Sequence, residues 1–188
     1  MTEPGVAIET FDGDEARALC GIVSDMYRAV FSLPPFSGDD AEFDNQRSTF
    51  PDFTTRAGFR LAMARAEDAY AGFGYGFLLP ADTYWWTGLA EPVSAEFARE
   101  DGHRTFALIN YGVLAGWRGR GLGRAIHDDL LGGSGAQRAT LSVQPKATGT
   151  QAIYRQWGWR KVSYKEMDPP VPAPVFDILV LEKMPAKR

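Results

Sequence analysis

Hydrophobic and polar positions alternate over VAIETF (6–11), which predicts a short opening strand. Asp12 follows, with Glu15 three residues on, the spacing of a capping box at a helix start. Leu19, Ile22, Val23, Met26 and Val30 then recur at helical spacing and predict one amphipathic helix over 14–31. LPPF (33–36) stops it, because proline cannot continue the hydrogen-bond ladder. Residues 39–57 predict a second helix, interrupted at Pro51.

The period changes after residue 58. Phe59, Leu61 and Met63 alternate with Arg60, Ala62 and Ala64, and Phe73, Tyr75 and Phe77 alternate with Gly72, Gly74 and Gly76. Two strands joined by a turn at Glu67–Asp68 account for both halves, since three spaced glycines would weaken a helix. The glycines leave one strand face bare, so something packs closely there; were it the wall of a pocket, it would give room for a bulky group.

Residues 80–92 read as a loop and 93–101 as a short helix. The apolar run RTFALINYGVL (104–114) predicts a central strand buried on both faces. A helix follows 117–121, then a strand at 138–143, a helix at 146–157, and strands at 158–167 and 174–184 separated by a proline-rich loop (168–174). The expected fold is a mixed α/β domain spanning 1–188, one curved sheet with helices on both faces.

Composition narrows the partners. A net charge of -4 argues against a general nucleic-acid surface. One cysteine excludes an internal disulfide framework and any zinc site built on paired cysteines. The N-terminus has no basic stretch followed by an apolar one, and no apolar run nears the roughly 18 residues that span a bilayer. The expectation is a cytoplasmic protein with no membrane partner and no metal; His103 and His127 do not make a metal site.

WRGRGLGRAIHDDL (117–130) is the densest chemical signal. It matches neither the P-loop nor the G-x-G-x-x-G dinucleotide pattern. It does fit R-x-x-G-x-G through Arg118, Gly121 and Gly123, between a strand and a helix. The first turn of a helix offers unpaired N–H groups and a partial positive charge. Glycines let backbone approach an anion, and Arg118, Arg120 and Arg124 add charge with no acid between 117 and 127. The stretch therefore reads as a pyrophosphate cradle or, more plainly, as a glycine-rich turn bearing exposed arginines.

NYGVLAGWRGRGLGRAIHDDLL, followed by LSVQPKATGTQAIYRQWGWRKV, resembles the acyl-CoA-binding half of the GCN5-related N-acetyltransferase (GNAT) family. The first string resembles that family's bulged strand and R/Q-x-x-G-x-G/A loop. The second resembles its strand, its helix ending in Y-x-x-x-G-[FW] (Tyr154, Gly158 and Trp159) and the next strand. The resemblance covers roughly residues 104–167. It implies a GNAT-like fold and transfer of an acetyl group from acetyl-CoA to a primary amine, by direct attack in a ternary complex. It implies that Arg118, Gly119, Arg120, Gly121, Leu122, Gly123 and Arg124 hold the pyrophosphate. Val113 and Leu114 would run beside pantetheine at a bulge, the Val113 amide facing the thioester oxygen, and Tyr154 would protonate the leaving thiolate. The acceptor would be a small-molecule amine or a peptide N-terminus, and the family precedent extends to a homodimer.

Two departures accompany the match. The family often has Asn seven residues before the tyrosine, where this chain has Ala147 followed by Thr148. Many members carry a carboxylate on the central strand, and Thr105 to Leu114 has none. The general base is therefore open among Glu91, Glu96, Glu100, His103 and a water relay, which Asn110 would orient. The same gap motivates an alternative, a non-catalytic acyl-CoA sensor, and the bare glycine face motivates another, an acyltransferase using a longer acyl-CoA. Phe31, Phe36, Phe43, Tyr84, Trp85, Trp86 and the 168–174 loop are candidates for an aromatic acceptor wall with a cation-π face; otherwise they fill the core. Cys20 and His127 read as a packing residue and an exposed residue.

Overall fold

The computed structural model describes residues 5–167 and 173–186. Its centre is a seven-stranded sheet in the order β1-β2-β3-β4-β5-β7-β6. The strands are β1 (Val6–Phe11), β2 (Arg60–Ala66), β3 (Ala69–Leu78), β4 (Thr105–Val113), β5 (Arg138–Val143), β6 (Arg160–Glu166) and β7 (Val175–Leu181). Neighbours pair antiparallel except β4 with β5, which run parallel and so need a crossover; α5 (Leu122–Gly133) supplies it. Residues 168–172 of the proline-rich loop lie outside the described residues.

The two faces of the sheet carry two cores. Leu61 and Met63 of β2 and Phe73, Tyr75 and Phe77 of β3 point to one face, covered by α1 (Gly13–Ala18), α2 (Cys20–Phe31) and α3 (Asp40–Thr54). Ala62, Ala64 and Ala66 point to the other, covered by α5 and α6 (Thr148–Gln156). The bare face of β3 is where α5 lies. A Cβ on Gly72 would come within 2.9 Å of the Ile126 side chain, and one on Gly74 within 2.9 Å of Leu130. Close helix packing is therefore what those glycines permit. They do not line a pocket, and the motive for a longer acyl chain disappears.

The predicted helix over 14–31 is two helices, because its halves pack in different directions. Asp12 caps α1 with the full capping box, and Leu19 ends it. α1 is held against the end of α3, where Arg17 Nε donates to Thr54 Oγ1 (3.4 Å) and Gly13 abuts the Thr54 carbonyl. α2 instead lies on β4, Val30 packing where Gly112 has no side chain. In the other direction, α3 runs unbroken through Pro51. A proline there frees the carbonyl of Arg47, four residues back, and the Cys20 thiol donates to that oxygen at 3.7 Å. The predicted helix over 93–101 shortens to α4 (Ala95–Ala98).

Between β3 and β4 of the sheet, the long 80–103 insertion is fastened by a buried polar knot. Glu100 accepts from Arg138 (2.8 Å), Trp86 Nε1 (2.9 Å) and Thr105 Oγ1 (2.7 Å).

Candidate active site

β4 and β5 pair over only four residues, from Thr105↔Arg138 to Leu108↔Leu141. Beyond that point they separate. The register of β4 against β3 also slips there: Tyr75 faces Asn110 while Gly76 faces Leu108, so Ile109 is an extra residue. The expected bulge is thus at Ile109, four residues before Val113. A bulge bends its strand and raises the local twist, which turns the second half of β4 away from β5. The separation opens a cavity of about 430 Å³ at the carboxyl ends of the two parallel strands, where ligands of open α/β sheets bind. Its walls include Asn110 and Tyr111 of β4, Ser142 and Gln144 of β5 and its extension, and Tyr154 of α6.

The ladder fixes which amides face the opening. Leu114 donates its N–H to the Ala71 carbonyl at 2.9 Å, with Val113 opposite Gly72. Alternation in an antiparallel ladder then turns the N–H of Val113, and of Tyr111, away from β3 and toward the gap left by β5. Val113 and Leu114, paired in the sequence reading, therefore differ: one amide faces the opening and the other is engaged within the sheet.

The glycine-arginine stretch lies between β4 and α5. Ala115–Trp117 forms one 3-10 turn; Gly119 and Gly121 have φ of 78° and 80°, a region that favours glycine. Gly121 is the N-cap of α5 and provides no side chain to cap it, so the first N–H groups of the helix point outward from Leu122, Gly123 and Arg124. Gly123 is pressed against the Tyr111 hydroxyl, which ties the loop to the cavity wall. The arginines are oriented by neighbours. Arg118 Nε donates to the Val113 carbonyl (3.1 Å), Arg120 lies over the Trp117 ring (4.7 Å), and Arg124 pairs with Asp128 (2.7 Å).

Asp128 extends that pair into a buried chain. His127 is fully buried, contrary to its expected exposure. The helical pattern points Leu122, Ile126 and Leu130 to the sheet, but Trp157 and Trp159 roof the opposite side of α5 and enclose His127 as well. Trp159 Nε1 donates to His127 Nε2 (3.0 Å), and Nδ1 lies 2.9 Å from Asp128 Oδ1. An indole N–H only donates, so Nε2 is the bare nitrogen and Nδ1 carries the proton. Burial lowers the imidazole pKa, against the pull of Asp128. Burial raises the Asp128 carboxyl, but the bonds from His127 and Arg124 prevail and hold it below its usual range.

Tyr154 faces the cavity from α6. Burial raises its hydroxyl above the ordinary tyrosine range, so it carries its proton. The base candidates from sequence lie elsewhere, apart from Asn110. Glu100 is consumed by Arg138, and Glu91, Glu96 and His103 do not line the cavity. Asn110 Nδ2 donates to the Tyr75 hydroxyl (2.5 Å). Of the aromatic candidates, Phe31, Phe36 and Trp85 line the cavity; Phe43 packs edge-on to Tyr27, Trp86 belongs to the Glu100 knot, and Tyr84 is 83% exposed.

The carboxylate in the cavity is one the sequence reading passed over. Glu42, in the first turn of α3, accepts from the Tyr27 hydroxyl at 2.7 Å. Burial raises its pKa, partly offset by that bond. Lys165 also lines the cavity; it donates to the Trp85 carbonyl (2.8 Å), and burial lowers its pKa. Among the described residues, no group of three or more His, Cys, Asp or Glu is arranged to hold a metal. No helix among them is long and apolar enough to cross a membrane.

This architecture is that of the GNAT acetyltransferases. An acetyltransferase of the GNAT family from Staphylococcus aureus Mu50 superposes with a TM-score of 0.63 at 12% identity, covering 94% of this chain and 98% of that one. The ribosomal-protein-S18-alanine N-acetyltransferase of Escherichia coli gives 0.62 at 14% identity, covering 97% of each chain. A GNAT family acetyltransferase from Elizabethkingia anophelis with acetyl-CoA bound gives 0.58 at 12% identity, covering 96% of this chain and 100% of that one. No family model matches the sequence, and no curated protein does. At these identities the likeness is one of fold.

Proposed function

We propose that this protein is a GNAT-type N-acetyltransferase that transfers the acetyl group of acetyl-CoA to a primary amine within a ternary complex. The observation that carries the reading is the juxtaposition of three features. The gap between β4 and β5 and Tyr154 share one cavity, and the uncapped start of α5 abuts its wall, where Gly123 packs against the Tyr111 hydroxyl. The fold supports it, since similar structures include one with acetyl-CoA bound.

The donor set suits the cosubstrate. Outward amides at 119–124, with left-handed glycines that let backbone come close, fit a pyrophosphate. The Val113 amide, turned into the gap, suits the pantetheine arm or the thioester oxygen, where developing negative charge gains from a fixed donor. Leu114 contributes only its position in the strand, its amide being bonded to Ala71. Tyr154, protonated and facing the cavity, is the acid for the leaving thiolate.

Thermal unfolding with acetyl-CoA tests this. A ligand at about 100 times its Kd stabilises the fold by roughly 2.7 kcal/mol, which raises the midpoint by roughly 5–10 °C at this chain length. Gly119→Asp is the control. A Cβ at Gly119 meets nothing within 4 Å, and Asp tolerates positive φ better than most residues. The variant should therefore fold while setting a carboxylate against the pyrophosphate, and its shift should vanish. No shift in the parent protein with either acetyl-CoA or CoA would overturn the reading.

A further inference from the structure

We infer that Glu42 receives the ammonium of the acceptor and takes its proton, and that the acceptor is a small primary amine with an aromatic-sized apolar body. The inference rests on the acetyl-transfer reading above and assigns the base and the substrate class within the same cavity.

Glu42 is the one carboxylate among the described residues that line the cavity. Its backbone is fixed at the start of α3, where the Asp39 side chain accepts from the Glu42 N–H at 2.9 Å. Its carboxylate is fixed from α2, because Tyr27 stacks on Phe31 (4.4 Å between centroids) and directs its hydroxyl proton to Oε1. Among the described residues Oε2 has no hydrogen-bond partner. A carboxylate held this way, partly out of water, attracts an ammonium and binds its proton more tightly than an exposed glutamate would. The raised pKa of Glu42 agrees with that placement.

The charged groups facing Glu42 are few. Tyr27 comes from α2, Asp39 from its own cap, and Lys146 from the turn after β5, where its Nζ donates to the Phe36 carbonyl at 3.2 Å. Arg28 is paired with Asp40 nearby. Tyr111, Tyr154 and Lys165 line other parts of the cavity. Asp39 and Asp40 do not line the cavity, so Glu42 is the carboxylate that its wall presents to a cationic ligand.

The rest of the wall sets the body of the ligand. Phe31, Phe36, Trp85 and Phe176 line the cavity, and Lys165 holds Trp85 by its carbonyl. Such a surface accepts a flat apolar group and adds a cation-π contribution for the amine. A volume of about 430 Å³ is in the small-molecule range.

In the reaction, one N–H proton of the ammonium passes to Glu42, leaving the nitrogen lone pair. The N–C bond forms at the thioester carbonyl carbon, and the C–S bond breaks with its electron pair on sulfur. Tyr154 gives its proton to that thiolate and recovers one from the second N–H lost as the amide forms. The proton on Glu42 leaves to solvent with the product, so one proton is released per turnover.

The test uses 2-phenylethylamine, with 2-phenylethanol as its uncharged analogue, on the full chain with CoA present. Titration calorimetry should show the parent protein preferring the amine by at least about tenfold. Glu42→Gln should erase that preference while acetyl-CoA still raises its melting point. With acetyl-CoA and the amine, thiol release should fall about 100-fold or more in Glu42→Gln, and the ascending limb of the pH profile should be lost. Tyr27→Phe removes a bond that favours the charged form, so its ascending limb should move to higher pH. No preference for the amine, a preference kept in Glu42→Gln, a bound amine that is not acetylated, or a peptide amine bound where 2-phenylethylamine is not would each overturn the assignment. Loss of acetyl-CoA stabilisation in the parent protein would instead overturn the transferase reading, and charge-dependent amine binding would then stand apart from it.

Discussion

Replacing Trp159 by Phe isolates the buried histidine chain. Trp159 is almost fully buried, and its indole N–H is the donor to His127 Nε2. Removing it leaves a buried acceptor without a partner, at a cost of about 1–3 kcal/mol. The smaller ring gives up further apolar contact worth about 1–2 kcal/mol. The sum, about 2–5 kcal/mol, lowers the midpoint by roughly 4–20 °C for a chain of this size. A pH series adds an independent check. The folded pKa of His127 is lowered, so below about pH 6.5 the unfolded chain binds a proton that the folded chain refuses. Stability from this group is full above that pH and falls as pH drops toward the folded pKa, by at most about 1.4 kcal/mol per pH unit. Burial, the main cause of the lowered pKa, persists in Trp159→Phe, but no N–H then opposes a proton on Nε2, so the slope between about pH 6.5 and 5 should become shallower without vanishing. Urea unfolding at several pH values measures both quantities. A loss below about 0.5 kcal/mol, or equal slopes in the two proteins, would refute the tautomer and the role given to Trp159.

Two further substitutions separate chemistry from architecture. Tyr154→Phe should lower turnover about 100-fold while leaving the acetyl-CoA melting shift intact; unchanged turnover would make Tyr154 a packing residue. Glu100→Ala should lose about 3–5 kcal/mol in urea unfolding, because it strands Arg138 as an uncompensated buried charge; replacing both partners by Met should recover much of that loss.

The order of elements was legible because each signal is local. Alternation over 59–77 needs only neighbours a few residues apart, and the Asp12–Glu15 box appears as a capping box in the structure. The errors lie where a distant partner decides. Pro51 breaks nothing, since Cys20 on another helix takes up the freed Arg47 carbonyl. His127 looked exposed on a helical wheel drawn for one buried face, yet Trp157 and Trp159, some thirty residues on, bury the other face. Leu19 fits the helical period and still ends a helix, because α1 and α2 answer to different partners.

The candidate site divides along the same line. The proposed cradle for an anion is made of consecutive residues, so a search along the string finds its glycines and arginines together. The acceptor side is assembled from α2, α3, the 80–103 insertion and the ends of β5, β6 and β7, and no window of sequence contains it. Glu42 shows how such a residue hides. It stands three residues after Asp39, whose side chain caps the Glu42 amide at the start of α3. The same cap also holds the side chain at the cavity, beside a tyrosine from another helix. A search for the base confined to the central strand and the insertion omits α3, although the chemistry asks only that a carboxylate reach the nitrogen. If backbone amides of one stretch hold the cosubstrate, as proposed, the base is not tied to the strand beside that stretch and can come from an element that closes the cavity, as α3 does here.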